Sequence, residues 1–184
     1  MKIIKLDKYE LIRNAGRKIE YSNEEIEMIQ RWQSPGNDGI SALVNQALSE
    51  GASYISTHTN IAHAIDVLSN ACDKGIASHD FVVFRGEYDS DDFMKQGNDD
   101  AWKGKIIERK GFLSTSLSTP FSRPVQFRIE VPMGAHGIYI GHLAKINISG
   151  FYEDEFLIQK GSKLEIDHIE RPDNNPIVFA KLII

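Results

Sequence analysis

Cysteine is almost absent from this sequence, which has only Cys72 among its 184 residues. A single cysteine cannot form an internal disulfide, which excludes the small extracellular domains that depend on several such bridges. Cys72 lies in a stretch with helical spacing, and we expect it to be a small residue of the core. The fold therefore does not need an oxidising compartment, although export into one remains compatible with it.

Long apolar runs are also missing, since no stretch approaches the roughly 20 residues that a helix needs to cross a bilayer. The N-terminal residues 1–18 have charges scattered among them and no long apolar centre, so they do not read as a secretory signal. We therefore expect a soluble protein with no membrane partner.

The sequence has no excess of positive charge. Lysine and arginine number 21 against 26 aspartate and glutamate residues, which gives a net charge of −5 and an isoelectric point near 5.7. An acidic chain lacks the electrostatic footprint of a protein that binds nucleic acid or anionic membrane surfaces over a broad area. A local basic groove stays open as an alternative.

Several common site motifs do not occur. There is no G-x-G-x-x-G and no Walker-type loop, so neither a Rossmann nor a P-loop nucleotide site is expected, and there is no G-x-S-x-G elbow. His58 and His63 are five residues apart, which does not place them on one helical face. Neither they nor His136 and His142 have a zinc-ligand spacing. We therefore predict that the protein has no metal site.

The first 80 residues have helical spacing. Ser22 and Glu25 form a capping-box pattern, which predicts the start of a helix that the turn-forming run at 34–39 ends. Two further helices are predicted, at 40–51 and 60–75.

After residue 80 the pattern changes to short apolar or alternating runs, which is typical of strands. One more short helix is predicted at 90–96. Helices followed by strands indicate an α+β protein, and we expect a single domain over 1–184. Strands are predicted at 81–84, 111–118, 125–131, 137–141, 155–158, 163–166 and 177–184.

Three separated pieces of the strand-rich part contain side chains suited to chemistry. Arg85-Gly86 follows an apolar strand, the hydroxyl-rich run FLSTSLS covers 112–118, and Glu153-Asp154-Glu155 stands directly before the apolar run 156–158. Residues i and i+2 of an extended chain point to the same side. Glu153 and Glu155 are therefore predicted to face one cleft, while Asp154 points away into solvent.

These three pieces, in this order, resemble the Arg/Ser-Thr-Ser/Glu-x-Glu class of ADP-ribosyltransferases, which includes the enzymatic components of binary actin-modifying toxins such as iota-toxin. The resemblance covers residues 81–184. It implies N-terminal helices packed against a mixed, mostly antiparallel two-sheet β core. It also implies an enzyme that cleaves the nicotinamide–ribose bond of NAD, its substrate, and passes on ADP-ribose without a metal.

The resemblance implies a role for each catalytic candidate. Glu155 is expected to hydrogen-bond a hydroxyl of the nicotinamide ribose and to stabilise the oxocarbenium-like transition state. Glu153 is expected to orient the acceptor, and glutamate here is associated in this class with arginine acceptors. Ser114 is expected to hold Glu155, and Arg85 to bind the pyrophosphate or a nearby ribose.

Two loops are implicated by the same resemblance. In this class an aromatic residue and an arginine between the strands cover NAD, and Phe121 and Arg123 are the matching candidates, although Phe121 also fits the core. Phe151 and Tyr152 precede the glutamates on a turn that is expected to contact the protein target. On the central run, Ser116 is expected to face the cleft and Thr115 the opposite face. The NAD-binding set is Arg85, Gly86, Ser114, Thr115, Ser116, Phe121 and Arg123.

The implied function is mono-ADP-ribosylation of an arginine of a target protein by a toxin, an effector or a phage-type host-modifying enzyme. Alternatives are an NAD glycohydrolase, transfer to a nucleic acid or to another acceptor, and an inactive scaffold that only binds a partner. We expect the protein to be secreted, injected into a host cell or present in the cytoplasm of an infected cell, with a separate delivery component as one route.

Overall fold

A computed structural model describes residues 7–35, 39–88, 91–97, 99–118, 122–144 and 154–184. Within these ranges the helices lie mainly before residue 80 and the strands after it, which confirms the α+β class. The helices are α1 (Lys8–Arg17), α2 (Asn23–Gln33), α3 (Ser41–Glu50), α4 (Ala52–Thr57) and α5 (Thr59–Asp73). The strands are β1 (Phe81–Glu87), β2 (Ile106–Arg109), β3 (Leu113–Ser116), β4 (Val125–Val131), β5 (Gly137–Tyr139), β6 (Glu155–Ile158), β7 (Ser162–Glu170) and β8 (Ile177–Ile183).

Helix α2 begins with the predicted capping box. The Glu25 backbone N–H donates to Ser22 Oγ at 3.1 Å, and the Ser22 backbone N–H donates to Glu25 Oε2 at 2.6 Å. Helix α3 ends at Gly51, whose φ of 96° is a left-handed conformation that favours glycine. The three predicted helices are thus confirmed, whereas α1 and the six-residue α4 are not evident from the sequence pattern.

The helix predicted at 90–96 is wrong, because the described residues 91–97 form bends and turns. Asp92 has a φ of 64°, which interrupts any right-handed helix. The Arg171 guanidinium also donates to the Phe93 carbonyl at 2.7 Å. It therefore binds a carbonyl that a helix would have used for its own backbone.

The strands of the described chain form one hydrogen-bonded sheet in the order β2-β7-β8-β4-β1-β3-β6-β5. Neighbours in it are antiparallel, apart from the parallel pair β4 and β8. The expected division into two sheets is not confirmed, because β1 still pairs with β3. That join is narrow, however, since among the described residues only Phe84 and Ser116 are paired across it.

Two apolar clusters lie on opposite faces of β6. The first contains residues from strands on both sides of the join between β1 and β3. It includes an edge-to-face contact between Phe81 and Phe156, with ring centroids 5.0 Å apart. The second packs Leu157 against α2, α3 and α5, and it includes Cys72 as the expected small core residue. All four residues of β6 are consequently buried. The first of them, Glu155, is carried into the interior with the rest.

Candidate active site

Glu155 is a buried carboxylate, only 3% exposed, at the start of β6. Ser114 Oγ donates to its Oε1 at 2.5 Å, and Trp32 Nε1 donates to the same oxygen at 3.1 Å. Gln33 Nε2 donates to Oε2 at 3.1 Å. An isolated buried charge would be very costly, so these three donors are what makes the ionised form accessible here.

Two opposing effects act on the acidity of this carboxyl. Burial raises the pKa of Glu155, and the hydrogen bonds from Ser114, Trp32 and Gln33, with the positive charge of Arg85, oppose that rise without cancelling it. A carboxyl whose pKa is raised by burial and opposed by specific partners in a pocket is typical of a functional site.

Arg85 lies in β1 and its guanidinium is held by two acceptors. Its Nε donates to Glu87 Oε1 at 2.5 Å, and its Nη1 donates to the Ser114 carbonyl at 2.6 Å. The other oxygen of Glu87 accepts from Arg109 Nη2 at 3.0 Å, and this nitrogen also donates to Asp91 at 2.7 Å. The plane of the Arg85 guanidinium is therefore fixed by its own neighbours.

Arg85, Ser114 and Glu155 line one open pocket of about 380 Å³. The structure thus brings together one residue from each of the three sequence pieces. The rest of the lining comes mainly from the end of α2 and the start of α3. A larger groove of about 690 Å³ crosses the strands β1, β4, β8 and β7, but it is lined by none of these three residues.

Two hydroxyl residues of the expected NAD-binding set do not line this pocket. Thr115 is buried and its Oγ1 donates to the Phe156 carbonyl at 2.6 Å, on the face of β3 opposite to Ser114. Ser116 is half-buried, and its Oγ accepts from the Ser118 backbone N–H at 3.2 Å. The Thr115 hydroxyl is thus used for a hydrogen bond within the sheet. Ser116 is the residue of β3 that pairs with β1.

Gly86 and Arg123 lie beyond the pocket lining as well. Gly86 follows Arg85 in β1 and is paired with Gln126 of β4. Arg123 is exposed, and its guanidinium carbon lies 5.1 Å from the ring centroid of the exposed Tyr88. Four further candidates, Phe121, Phe151, Tyr152 and Glu153, lie outside the described residues, and their expected roles stay predictions.

The expectation that Asp154 points into solvent is wrong. Its side chain is 17% exposed, and its two oxygens accept from Arg13 of α1, from Nε at 3.0 Å and from Nη2 at 2.6 Å. Helix α1 reaches this position because Gly16 packs on Tyr139 of β5, where a Cβ would lie 2.7 Å from the Tyr139 Cβ. The helix that supplies Arg13 was not predicted, so its ion pair could not be predicted either.

Trp32, Gln33 and Asn45 line the pocket but were not identified as site residues from the sequence. Asn45 binds the backbone of Phe112 twice, since its Oδ1 accepts at 3.0 Å and its Nδ2 donates at 3.3 Å. A Cβ at Gly111 would lie 2.3 Å from Asn45 Oδ1, so the glycine makes room for this side chain. A tryptophan next to a glutamine at the end of a helix was the available signal, because buried indole N–H groups need acceptors.

Two negative observations concern the described ranges. They contain no cluster of three or more His, Cys, Asp or Glu side chains arranged to hold a metal ion. No helix in them is long and apolar enough to cross a membrane.

Solved structures with the same fold include ADP-ribosylating toxins. Plx2a, an ADP-ribosyltransferase toxin from Paenibacillus larvae, has a TM-score of 0.75 at 19% identity, and 96% of each chain is covered. C3stau2 from S. aureus, solved with NAD, has a TM-score of 0.78 at 16% identity, covering 96% of this chain and 94% of that chain. BECa, an ADP-ribosylating toxin of a binary enterotoxin of C. perfringens, was solved with NADH. It has a TM-score of 0.71 at 19% identity, covering 96% of this chain and 46% of its own.

No curated protein matches the chain in sequence. A profile of the family described as ADP-ribosyltransferase exoenzyme, by contrast, matches residues 8–183. This match includes the helices as well as the strands, and it contains every residue that lines the pocket described above. The chain therefore belongs to the ADP-ribosyltransferase exoenzyme family, whose substrate is NAD.

Proposed function

We propose that this protein is a single-domain mono-ADP-ribosyltransferase that transfers ADP-ribose from NAD to an arginine side chain of a target protein. The observation that carries the proposal is the buried Glu155 carboxylate, bonded to Ser114 Oγ at 2.5 Å in the pocket that Arg85 also lines. The arginine acceptor is supported by Glu153, which stands two residues before Glu155 in the sequence.

Glu155 acts on the first half of the reaction. The bond between ribose C1′ and the nicotinamide nitrogen breaks, and its electron pair leaves with nicotinamide, which becomes neutral. Positive charge then develops on the ribose, and an ionised Glu155 stabilises that charge more in the transition state than in the bound substrate. The effect is strengthened by burial, because charges interact more strongly away from water.

Arg85 and Ser114 prepare the site for NAD. The Arg85 guanidinium binds the pyrophosphate, and its bonds to Glu87 and to the Ser114 carbonyl orient it before the ligand arrives. Preorganisation of this kind lowers the cost of ordering on binding. Gly86, without a Cβ, allows NAD to approach the backbone, and Ser116, Phe121 and Arg123 remain proposed NAD contacts. Thr115 is left out, because its hydroxyl binds Phe156.

Glu153 acts on the acceptor. A guanidinium, with a pKa above about 12, is a poor nucleophile, so it needs alignment and a base. The Glu153 carboxylate binds two guanidinium N–H groups and accepts one proton as the arginine nitrogen bonds to C1′. Phe151 and Tyr152, which precede Glu153 in the sequence, contact the target protein around that arginine.

Separate substitutions of the two glutamates test this proposal. With labelled NAD and agmatine as an arginine mimic, Glu155→Gln should lower both NAD hydrolysis and transfer at least about a hundredfold, because it removes transition-state stabilisation. Glu153→Gln should lower transfer to a similar degree while retaining most of the hydrolysis.

Three results would contradict the proposal. Absence of NAD turnover with any acceptor would show that the protein is not the proposed enzyme. Equal loss of hydrolysis and transfer in Glu153→Gln would contradict the proposed role of Glu153 in orienting the acceptor. Free ADP-ribose without any labelled acceptor would instead identify an NAD glycohydrolase, and labelled RNA or DNA would identify a nucleic-acid acceptor.

We further propose that the protein acts as a toxin or effector on a host protein, after secretion, injection or entry through a separate delivery component. The similarity of its fold to toxins supports this setting. Incubating a host lysate with tagged NAD and the protein, next to the Glu155→Gln variant, would identify the target as the band labelled only by the active form.

A further inference from the structure

The two last residues of α2, Trp32 and Gln33, both donate a hydrogen bond to Glu155. We propose, on the basis of the function above, that they are positioning residues, and that Gln33 holds the oxygen of Glu155 that meets the ribose. Trp32 and Ser114 bind Oε1, and Gln33 is the donor to Oε2. The two oxygens of one carboxylate thereby acquire different tasks.

The number of donors distinguishes the oxygens. A carboxylate oxygen accepts about two hydrogen bonds. Oε1 already receives two, from Ser114 Oγ at 2.5 Å and Trp32 Nε1 at 3.1 Å. From the residues that the structure describes, Oε2 receives one, from Gln33 Nε2 at 3.1 Å, which leaves capacity for a hydroxyl group. A ribose hydroxyl that binds Glu155 without displacing a protein donor must therefore bind Oε2.

Both donors are fixed by further contacts. The Trp32 ring is buried and packs edge-to-face on Phe112, with centroids 5.6 Å apart. Gln33 Nε2 also donates to the Ile140 carbonyl at 3.3 Å, which orients its amide toward the end of β5. Gln33 lines the same pocket as Glu155, so it acts where the substrate binds. A donor held in this way keeps Oε2 in one place while NAD enters.

Removal of the Gln33 donor has a predictable effect on protonation. Among the described residues, the ionisable groups near Glu155 are Arg85 of β1, whose charge favours the carboxylate, and Cys72 of α5, whose buried thiol is kept neutral in part by the charge of Glu155 itself. Neither changes when Gln33 is replaced. Without the amide N–H, the ionised form of Glu155 loses a stabilising bond, so its protonation moves to higher pH.

Methionine at position 33 is the test, because it keeps the length of glutamine and lacks the donor. The pH dependence of kcat for NAD hydrolysis should show its acidic limb shifted upward in Gln33→Met by about one pH unit, the size expected for one hydrogen bond to a charged group. The plateau kcat should fall about tenfold, with a change of less than about threefold in KM for NAD. Trp32→Phe, which keeps an aromatic ring and removes the indole N–H, should shift the limb in the same direction.

Gln30→Met is the matched control. Gln30 lies one turn earlier on α2 and donates to the Leu143 carbonyl at 3.3 Å, without contacting Glu155. The acidic limb of the kcat profile and the plateau kcat of Gln30→Met should both equal the wild-type values. Suppose that Glu155→Gln is inactive, as expected. The positioning role is then overturned if Gln33→Met keeps the acidic limb of the wild type, or if Gln30→Met shifts this limb as much as Gln33→Met does. An active Glu155→Gln variant would instead overturn the proposed function itself.

Discussion

At the scale of single residues, the site combines charges that would be unfavourable alone. Glu87 is a half-buried carboxylate between two arginines, and it receives Arg85 Nε on one oxygen and Arg109 Nη2 on the other. Each arginine needs a different oxygen, so a side chain with only one acceptor cannot replace it. Glu87 is thus well suited to fix the orientation of the Arg85 guanidinium, for which we propose a role in binding the pyrophosphate of NAD.

We predict that Glu87→Gln weakens NAD binding. The amide of glutamine has one acceptor oxygen and no charge, so Arg85 loses its fixed orientation. The KM for NAD should rise about tenfold, close to the value of one charge-assisted hydrogen bond, while kcat changes little. Steady-state hydrolysis of NAD measures both. Asp92→Asn, which removes the same charge from the exposed Asp92–Lys95 pair, should leave KM unchanged, and an equal rise in it would contradict the role of Glu87.

Part of the site could be predicted from residues alone. Arg85, Ser114 and Glu155 belong to short patterns with a known chemical order, and each lies at or beside a strand that the apolar pattern predicts. Trp32 and Gln33 could not be found in this way. They are 123 and 122 residues away from Glu155 in sequence, and only the packing of α2 on β6 brings them to its carboxylate.

At the scale of secondary-structure elements, α1 anchors the start of β6. Its Arg13 forms two hydrogen bonds with Asp154, directly before Glu155, and so offsets negative charge where three acidic residues are adjacent in sequence. Both side chains are partly buried, so removal of one partner leaves a poorly solvated charge and costs more than breaking a surface ion pair. The amphipathic pattern of α1 is too short to predict it, since only Ile12 and Gly16 of the helix are buried.

We predict that Arg13→Gln destabilises the protein by about 1–2 kcal/mol, between the values for exposed and buried ion pairs. Urea unfolding followed by circular dichroism would measure this as a lower midpoint with an unchanged slope. Transfer activity should fall as well, because β6 loses an anchor beside its catalytic residue. In the control, Arg17→Gln breaks a more exposed pair with Glu10 in the same helix and should cost less than about 0.5 kcal/mol. Equal effects of the two variants would argue against a special role for Asp154.

At the scale of the whole molecule, the α+β class is confirmed, but the connectivity of the sheet could not be predicted. The apolar pattern identifies β1 and β6 as buried strands without specifying their neighbours. The pairing of Phe84 with Ser116, which makes one sheet out of an expected two, depends on contacts between distant parts of the chain. The sequence pattern at 90–96 predicts a helix that does not form, because the hydrogen bond from Arg171 to the Phe93 carbonyl cannot be deduced from the local sequence.

We predict that NAD raises the melting temperature of the whole protein. Ligand at a hundredfold excess over its Kd stabilises a folded protein by about 2.7 kcal/mol. For a chain of this length that corresponds to a shift of roughly 5–10 °C. Differential scanning fluorimetry of Glu155→Gln with NAD measures binding without turnover. Adding Arg85→Gln to this variant should remove most of the shift, and a shift that persisted would exclude Arg85 from the NAD site.

The narrow join between β1 and β3 has a mechanical consequence. Arg85 stands on one side of it, and Ser114 with Glu155 stands on the other, while Arg85 Nη1 bridges the gap by donating to the Ser114 carbonyl. In the binding mode proposed above, NAD is held by its phosphates on one side and by its ribose on the other, and it would link the two sides across the narrow join. Separation of β1 from β3 would move Arg85 away from Glu155 and abolish activity without unfolding either part of the sheet. We expect bound NAD to oppose this separation, so the substrate stabilises the arrangement that cleaves it.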